Sequence, residues 1–175
     1  YLPIDGLPLY DNAVQKLVFG EDNIVLKEKR AATVQAIGGT GALKIGADFL
    51  KRFSPDSQVW ISNPSWENHR ALFEYAGFKV NTYPYYDPAS HGVDFNGMIG
   101  TLKTLPARSV VILHACCHNP TGADLSDAQW DEVIEVVRDR KLIPFLDMAY
   151  QGFSEGIESD GQIVRRFSQR YSPVL

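Results

Sequence analysis

The stretch "LIPFLDMAYQGF", Leu142 to Phe153, ends an apolar run of β-strand character in an aspartate and follows it with a tyrosine three residues on. Nothing positive adjoins Asp147 in the sequence. A carboxylate carried to the end of a buried strand is costly unless something pairs with it. Two readings are open: Asp147 caps the following turn, or it serves as partner to a cationic nitrogen on a ligand. In the second, Tyr150 presents its hydroxyl to the same ligand.

Other candidate groups fall at similar points of the chain. Gly38-Gly39-Thr40-Gly41 enters a helical pattern. Glycines there let a ligand approach the backbone, and a helix N-terminus offers free N–H groups to an anion. The run is neither a Walker loop nor GxGxxG, and a plain glycine turn explains it equally well. Trp66 follows Ser62-Asn63-Pro64-Ser65. A flat aromatic there either stacks on a planar ligand or packs the start of the next helix. His69 shares its helical face. His114, Cys116 and His118 would lie on one strand face, a spacing that raises the question of a metal. The polar turn Asn119-Pro120-Thr121-Gly122 explains that segment better, with the Asn119 amide free for a ligand oxygen or for the turn itself.

The elements that must position these groups recur as strand–loop–helix passages. "AATVQAIGGTGALKIGADFLKRF" reads as an apolar strand, the glycine run, and a helix with Leu43, Ala47 and Leu50 on one face. "SQVWISNPSWENHRALFEYAGF" gives a strand over Val59–Ser62 and a helix from about Trp66, stopped by Gly77. The third passage has a continuously apolar strand, Val110 to Leu113, as burial on both faces requires. A helix follows, with a Ser126/Gln129 capping box and a stripe of Trp130, Val133, Ile134 and Val137. Leu142–Leu146 is another buried strand, and a shorter one lies within Phe78 to Pro88. Alternating strands and helices imply a three-layer α/β/α arrangement on a mostly parallel sheet. Such sheets bind ligands beyond the carboxyl ends of their strands, where the unusual residues collect.

The 175 residues are 45% hydrophobic and 22% charged, enough for a real core, with a formal net charge of −4. No Lys/Arg stripe suggests nucleic acid. No apolar run approaches a membrane span, and no signal peptide is visible. Cys116 and Cys117 are adjacent, so a mutual disulfide is implausible, and their scarcity points to a reducing compartment. The opening "YLPIDGLPLY" without Met and the close "RYSPVL", a strand just starting, read as a piece of a longer polypeptide.

Taken together, "GGTGAL", "SNPSWENH", "CCHNPTGADL" and "DMAYQGF", in that order, resemble the fold-type I pyridoxal-phosphate aminotransferases, within them the aspartate/aromatic-amino-acid family. The stretch "TLKTLPARSVVILHACCHNPTGADLSDAQWDEVIE" is most similar to its bacterial aromatic branch. The resemblance implies that Asp147 pairs with the protonated pyridine nitrogen of pyridoxal 5'-phosphate, keeping the ring an electron sink. It implies that Tyr150 and Asn119 contact the ring's phenolic oxygen, and that Asn119 also meets the substrate carboxylate. By the same resemblance Trp66 would stack on the ring and border the substrate, Gly39 and Thr40 would cradle the phosphate, and His69 and His114 would orient Asp147. The resemblance further implies that Tyr1 reaches the neighbouring subunit's cofactor phosphate and the substrate there, in a homodimer with a shared active site. A cytoplasmic location is expected, in keeping with the reducing compartment that the cysteines suggest.

One departure matters. The family's lysine lies in an S-x-S-K motif after the strand that carries the aspartate, and this chain has no such motif. Its two substrate-binding arginines are also missing. Residues 1–175 are therefore expected to be part of the cofactor-binding large domain, without the small domain, and inactive alone. The parent protein would move an amino group between tyrosine, phenylalanine or aspartate and 2-oxoglutarate. Strict aspartate specificity and a non-catalytic fragment are the rivals. A nicotinamide oxidoreductase fails for want of GxGxxG and its acidic partner.

Overall fold

The computed structural model describes residues 1–175. In chain order, helices α1 (Pro8–Phe19), α2 (Ile24–Lys27) and α3 (Gly38–Phe53) precede strand β1 (Val59–Asn63), helix α4 (Glu67–Tyr75) and strand β2 (Val80–Pro84). A small antiparallel pair, β3 (Tyr86–Asp87) and β4 (Gly92–Val93), leads to α5 (Phe95–Leu102). Then come β5 (Val110–His114), α6 (Asp127–Asp139), β6 (Ile143–Asp147) and α7 (Ile157–Arg170).

The main sheet runs β2-β1-β5-β6, and every pairing in it is parallel. Strand β5 shows why three layers form. Val110 and Ile112 join one core with Leu43, Ala47 and Leu50 of α3 and Phe73 of α4. Val111 and Leu113 join the other with Met98 of α5, Trp130, Val133 and Val137 of α6, and Phe167 of α7. A strand covered by helices on both faces has no solvent side on which to place a polar residue. The β5–β6 register then sets His114 opposite Asp147 at the carboxyl edge.

Helix α6 starts where the capping box places it. The Ser126 hydroxyl accepts from the Gln129 N–H, and the Gln129 side chain accepts from the Ser126 N–H. Helix α3 buries Leu43, Ala47 and Leu50, the face expected. It crosses β6 at Gly46, where an added Cβ would stand 2.6 Å from the Phe145 ring. That close approach brings the start of α3 beside the end of β6.

Two expectations need correction. Residues 31–36 form no strand; Gln35 N donates to Asp5 O, outside any sheet. An apolar run becomes a strand only beside another, and none of this chain's strands lies alongside it. The glycine run is accordingly not a strand-to-helix loop but the first turn of α3 itself. Strand-like pairing at the close of the chain is visible, however: Leu175 N donates to Pro144 O, and Leu146 N donates to Leu175 O.

Candidate active site

A cavity of about 270 Å³ opens at the carboxyl ends of β5 and β6. Gly39, Thr40, Trp66, His114, Asn119, Asp147 and Tyr150 line it, with Cys116 and Cys117. These come from four separate segments, each placed there by the end of a strand or the start of a helix. His69 is fully buried behind the wall and touches Asp147. Tyr1 lies apart, fully exposed. A larger groove of about 470 Å³ runs beside β6, but its walls are mostly apolar, among them Val18, Leu146, Met148 and Val164. It lacks the converging polar groups a reaction needs.

The surroundings of Asp147 form a directional chain. Its Oδ2 lies 2.7 Å from His69 Nε2, and no lysine or arginine pairs with it. His69 Nδ1 lies 2.9 Å from the Ser65 hydroxyl, which lies a long 3.5 Å from His114 Nε2. The backbone N–H of Asn119 points at His114 Nδ1 at 3.4 Å. That last group can only donate, so it fixes the direction of the whole chain. His114 Nδ1 accepts, its Nε2–H donates to Ser65, the Ser65 hydroxyl donates to His69 Nδ1, and His69 Nε2–H donates to Asp147. The carboxylate is held from behind by one hydrogen bond, and its side chain keeps 18% exposure toward the cavity.

Burial first, then the neighbouring histidines His118 and His69, hold His114 down to about 3, so it stays neutral, as the chain requires. Its ring packs 4.9 Å from His69 and 4.2 Å from His118. His118 is also held low, to about 4, by burial and then by His69. Its two ring nitrogens are taken by Ser62 at 2.9 Å and Thr121 at 2.8 Å, and its ring stacks on Tyr85 at 3.9 Å. Both nitrogens of His118 are thus satisfied without a metal. No group of three ligating side chains converges anywhere in the chain, and burial pushes the Cys116 thiol up to about 12. Both cysteines are free.

Across the cavity, the N–H groups of Gly39 and Thr40 have no hydrogen-bond partner, and open space faces Gly39. Unsatisfied donors at the positive end of a sixteen-residue helix can receive an anion. Trp66, the residue just before α4, meets His69 edge-on at 5.5 Å.

Some functional residues escaped the sequence. Ser65 links two histidines; its position four before His69, at the start of a helix, was the available signal. Asp124 accepts from the N–H groups of Cys117 and His118 and so shapes the turn that delivers Asn119. Only the three-dimensional turn shows that role.

The model of the family described as aminotransferase class I and II matches residues 1–174. The chain belongs to this aminotransferase family. It is 59% identical over all 175 residues to an aromatic-amino-acid aminotransferase of Escherichia coli (strain K12), covering 44% of that protein. It is also 59% identical over 169 residues to an aspartate aminotransferase of Pseudomonas aeruginosa, covering 42% of it. A crystal structure of an aromatic-amino-acid aminotransferase from Burkholderia pseudomallei, covalently bound to pyridoxal phosphate, superposes with a TM-score of 0.98 at 57% identity. There 99% of this chain is covered and 44% of the other. The chain thus spans less than half the length of these aminotransferases.

Proposed function

We propose that these residues are the cofactor-binding part of a pyridoxal-phosphate-dependent aminotransferase. It exchanges an amino group between tyrosine, phenylalanine or aspartate and 2-oxoglutarate. The observation that carries this is Asp147: a carboxylate at a strand end, without a lysine or arginine partner, held by His69 and open to a cavity. Three features of the cavity fit the group. Asp147 suits a cationic ring nitrogen, Trp66 a flat ring, and the free N–H groups of Gly39 and Thr40 a phosphate.

When bound, pyridoxal phosphate supplies an electron sink that lets the Cα–H bond of an amino acid break. The residues here prepare for that. Asp147 would keep the ring nitrogen protonated. His69 donates to the carboxylate from behind, so the anion stays fixed in direction. Tyr150 and Asn119 would offer donors to the ring oxygen, and Asn119 and Trp66 would border the substrate. No lysine lines the cavity, so the proton carrier at Cα, with the arginines for substrate carboxylates, would come from the rest of the protein. Tyr1, on the surface here, would reach the site of a second copy in a cytoplasmic homodimer. No helix of the chain is long and apolar enough to cross a membrane.

A strict aspartate preference is the second reading, supported by the equal identity to the Pseudomonas aeruginosa enzyme. The test is glutamate formation by the full-length protein with pyridoxal phosphate, 2-oxoglutarate and each amino acid in turn. Turnover with tyrosine and phenylalanine as well as aspartate is expected. Turnover with aspartate alone favours the second reading, and no turnover with any of them contradicts both.

A further inference from the structure

We propose that Asp160, outside the cavity and assigned no part in the chemistry, is the positioning residue for Tyr150; this rests on the proposed function. Asp160 lies in the first turns of α7 and is only 5% exposed. It makes no ion pair. Instead its Oδ2 accepts from Gly152 N at 2.7 Å and Ser154 N at 3.2 Å, and its Oδ1 accepts from Glu155 N at 3.0 Å. Burial works to raise its pKa, but the N–H bonds from Glu155, Gly152, Ser154 and Gly156 outweigh it and leave the carboxyl below its ordinary value. One charged side chain thus gathers the backbone of a single loop.

That loop opens with Tyr150. Its carbonyl accepts from Phe153 N at 3.1 Å, and Gly152, at the third position of the turn, has φ +97°. This is the type II pattern, which needs a positive φ there. The Gly152 N–H held by Asp160 belongs to that turn. On the other side the chain is fixed by Ala115 N donating to Asp147 O at 2.9 Å. Gln151 adds a bond to Ile157 O at 2.9 Å. Tyr150 therefore sits between two anchors, Asp147 in the sheet and Gly152 on Asp160, and the direction of its ring follows from both. Half-exposed and lining the cavity, Tyr150 has little else to hold it. Asn at 160 would keep the volume but turn an NH2 group on N–H donors, so the turn must give way.

The experiment is a pH titration of the absorbance of bound pyridoxal phosphate in the full-length protein, for wild type, Tyr150→Phe, Asp160→Asn and the double variant. A hydroxyl donating to the ring oxygen neutralises charge there, and its loss favours keeping the chromophore's proton. Tyr150→Phe should raise the midpoint by about one pH unit, the size of one hydrogen bond to a charged group. Asp160→Asn should move it in the same direction and add nothing when Tyr150 is already Phe. If Asp160→Asn fails to fold, Gly152→Ala reads the same turn, since its Cβ would stand 2.9 Å from Ile157 Cγ1. An unchanged midpoint in these variants, or an equal shift in the Tyr150→Phe background, overturns the inference alone. A wild-type protein that takes up no pyridoxal phosphate overturns the proposed function as well.

Discussion

Around Asp147, side chains are fastened to one another through His69, Ser65, His114, His118 and Tyr85, in contacts that leave little freedom. The arm of residues 1–37 is built differently. Tyr1, Leu2, Ile4, Leu9 and Ile37 are exposed there; single bonds such as Leu7 N to Gln35 Oε1 tie it to itself, and Arg165 of α7 holds the end of α1 by donating to Leu17 O and Val18 O. A site that must meet a charge needs its dipoles fixed before the ligand arrives, because reorienting them later would consume the stabilisation. Those of its apolar side chains that face outward can contribute only through contact with another surface, here the proposed second subunit. Substitutions should therefore act on the two regions through different observables: stability and chemistry at the strand ends, assembly at the arm.

The largest effect is expected beneath the strand ends. Phe145 packs edge-on against Phe73 at 5.5 Å and lies against Gly46. Phe145→Ala should cost about 3–5 kcal/mol in denaturant unfolding of the full-length protein. A loss below 1 kcal/mol would mean that this core does not support the site.

Next comes Asp147→Asn, which keeps the shape and removes the charge. It should lower kcat/KM about 10²- to 10³-fold, the size of losing one preorganised electrostatic partner. A change of a few-fold would remove Asp147 from the centre of the chemistry.

The buried histidines predict a pH dependence that the arm cannot share. His114 and His118 titrate at about 3 and 4 in the folded chain, against about 6.5 unperturbed. Between those values the unfolded chain binds more protons than the folded one. Stability is therefore complete above about pH 6.5 and is lost as pH falls below it, by at most about 1.4 kcal/mol per pH unit for each histidine. Tm should drop between pH 7.5 and pH 5, and His118→Asn should flatten the drop. An equal drop in that variant would place its origin elsewhere.

The smallest effect belongs to the arm. Ile4→Ser should change stability by about 0.5 kcal/mol or less, since Ile4 is fully exposed. It should instead raise the fraction of monomer in sedimentation of the full-length protein. A large loss of stability with unchanged assembly would reverse the contrast between the regions.

How much of this was legible without coordinates follows the same division. Asp147 stood out because it ends an apolar run, and Trp66 and Asn119 because they stand in polar turns that follow strands; the sheet does bring the three together. The layers were legible in β5 and α6, where period and capping agree with burial. Residues 31–36 misled because a strand pattern says nothing about whether a neighbour is there to pair with. Gly46 and Asp160 were silent because their meaning lies in distances across the fold, to the Phe145 ring and to the Gly152 N–H. No local pattern encodes those.

The most direct measurement concerns the partner of Asp147. Pyridoxal phosphate labelled with ¹⁵N in its ring would be bound to the full-length protein, and the nitrogen shift followed by NMR across neutral pH. A protonated ring nitrogen in wild type that loses its proton in Asp147→Asn is the predicted result. An unprotonated nitrogen in wild type, or one that stays protonated without the carboxylate, would contradict the role given to Asp147.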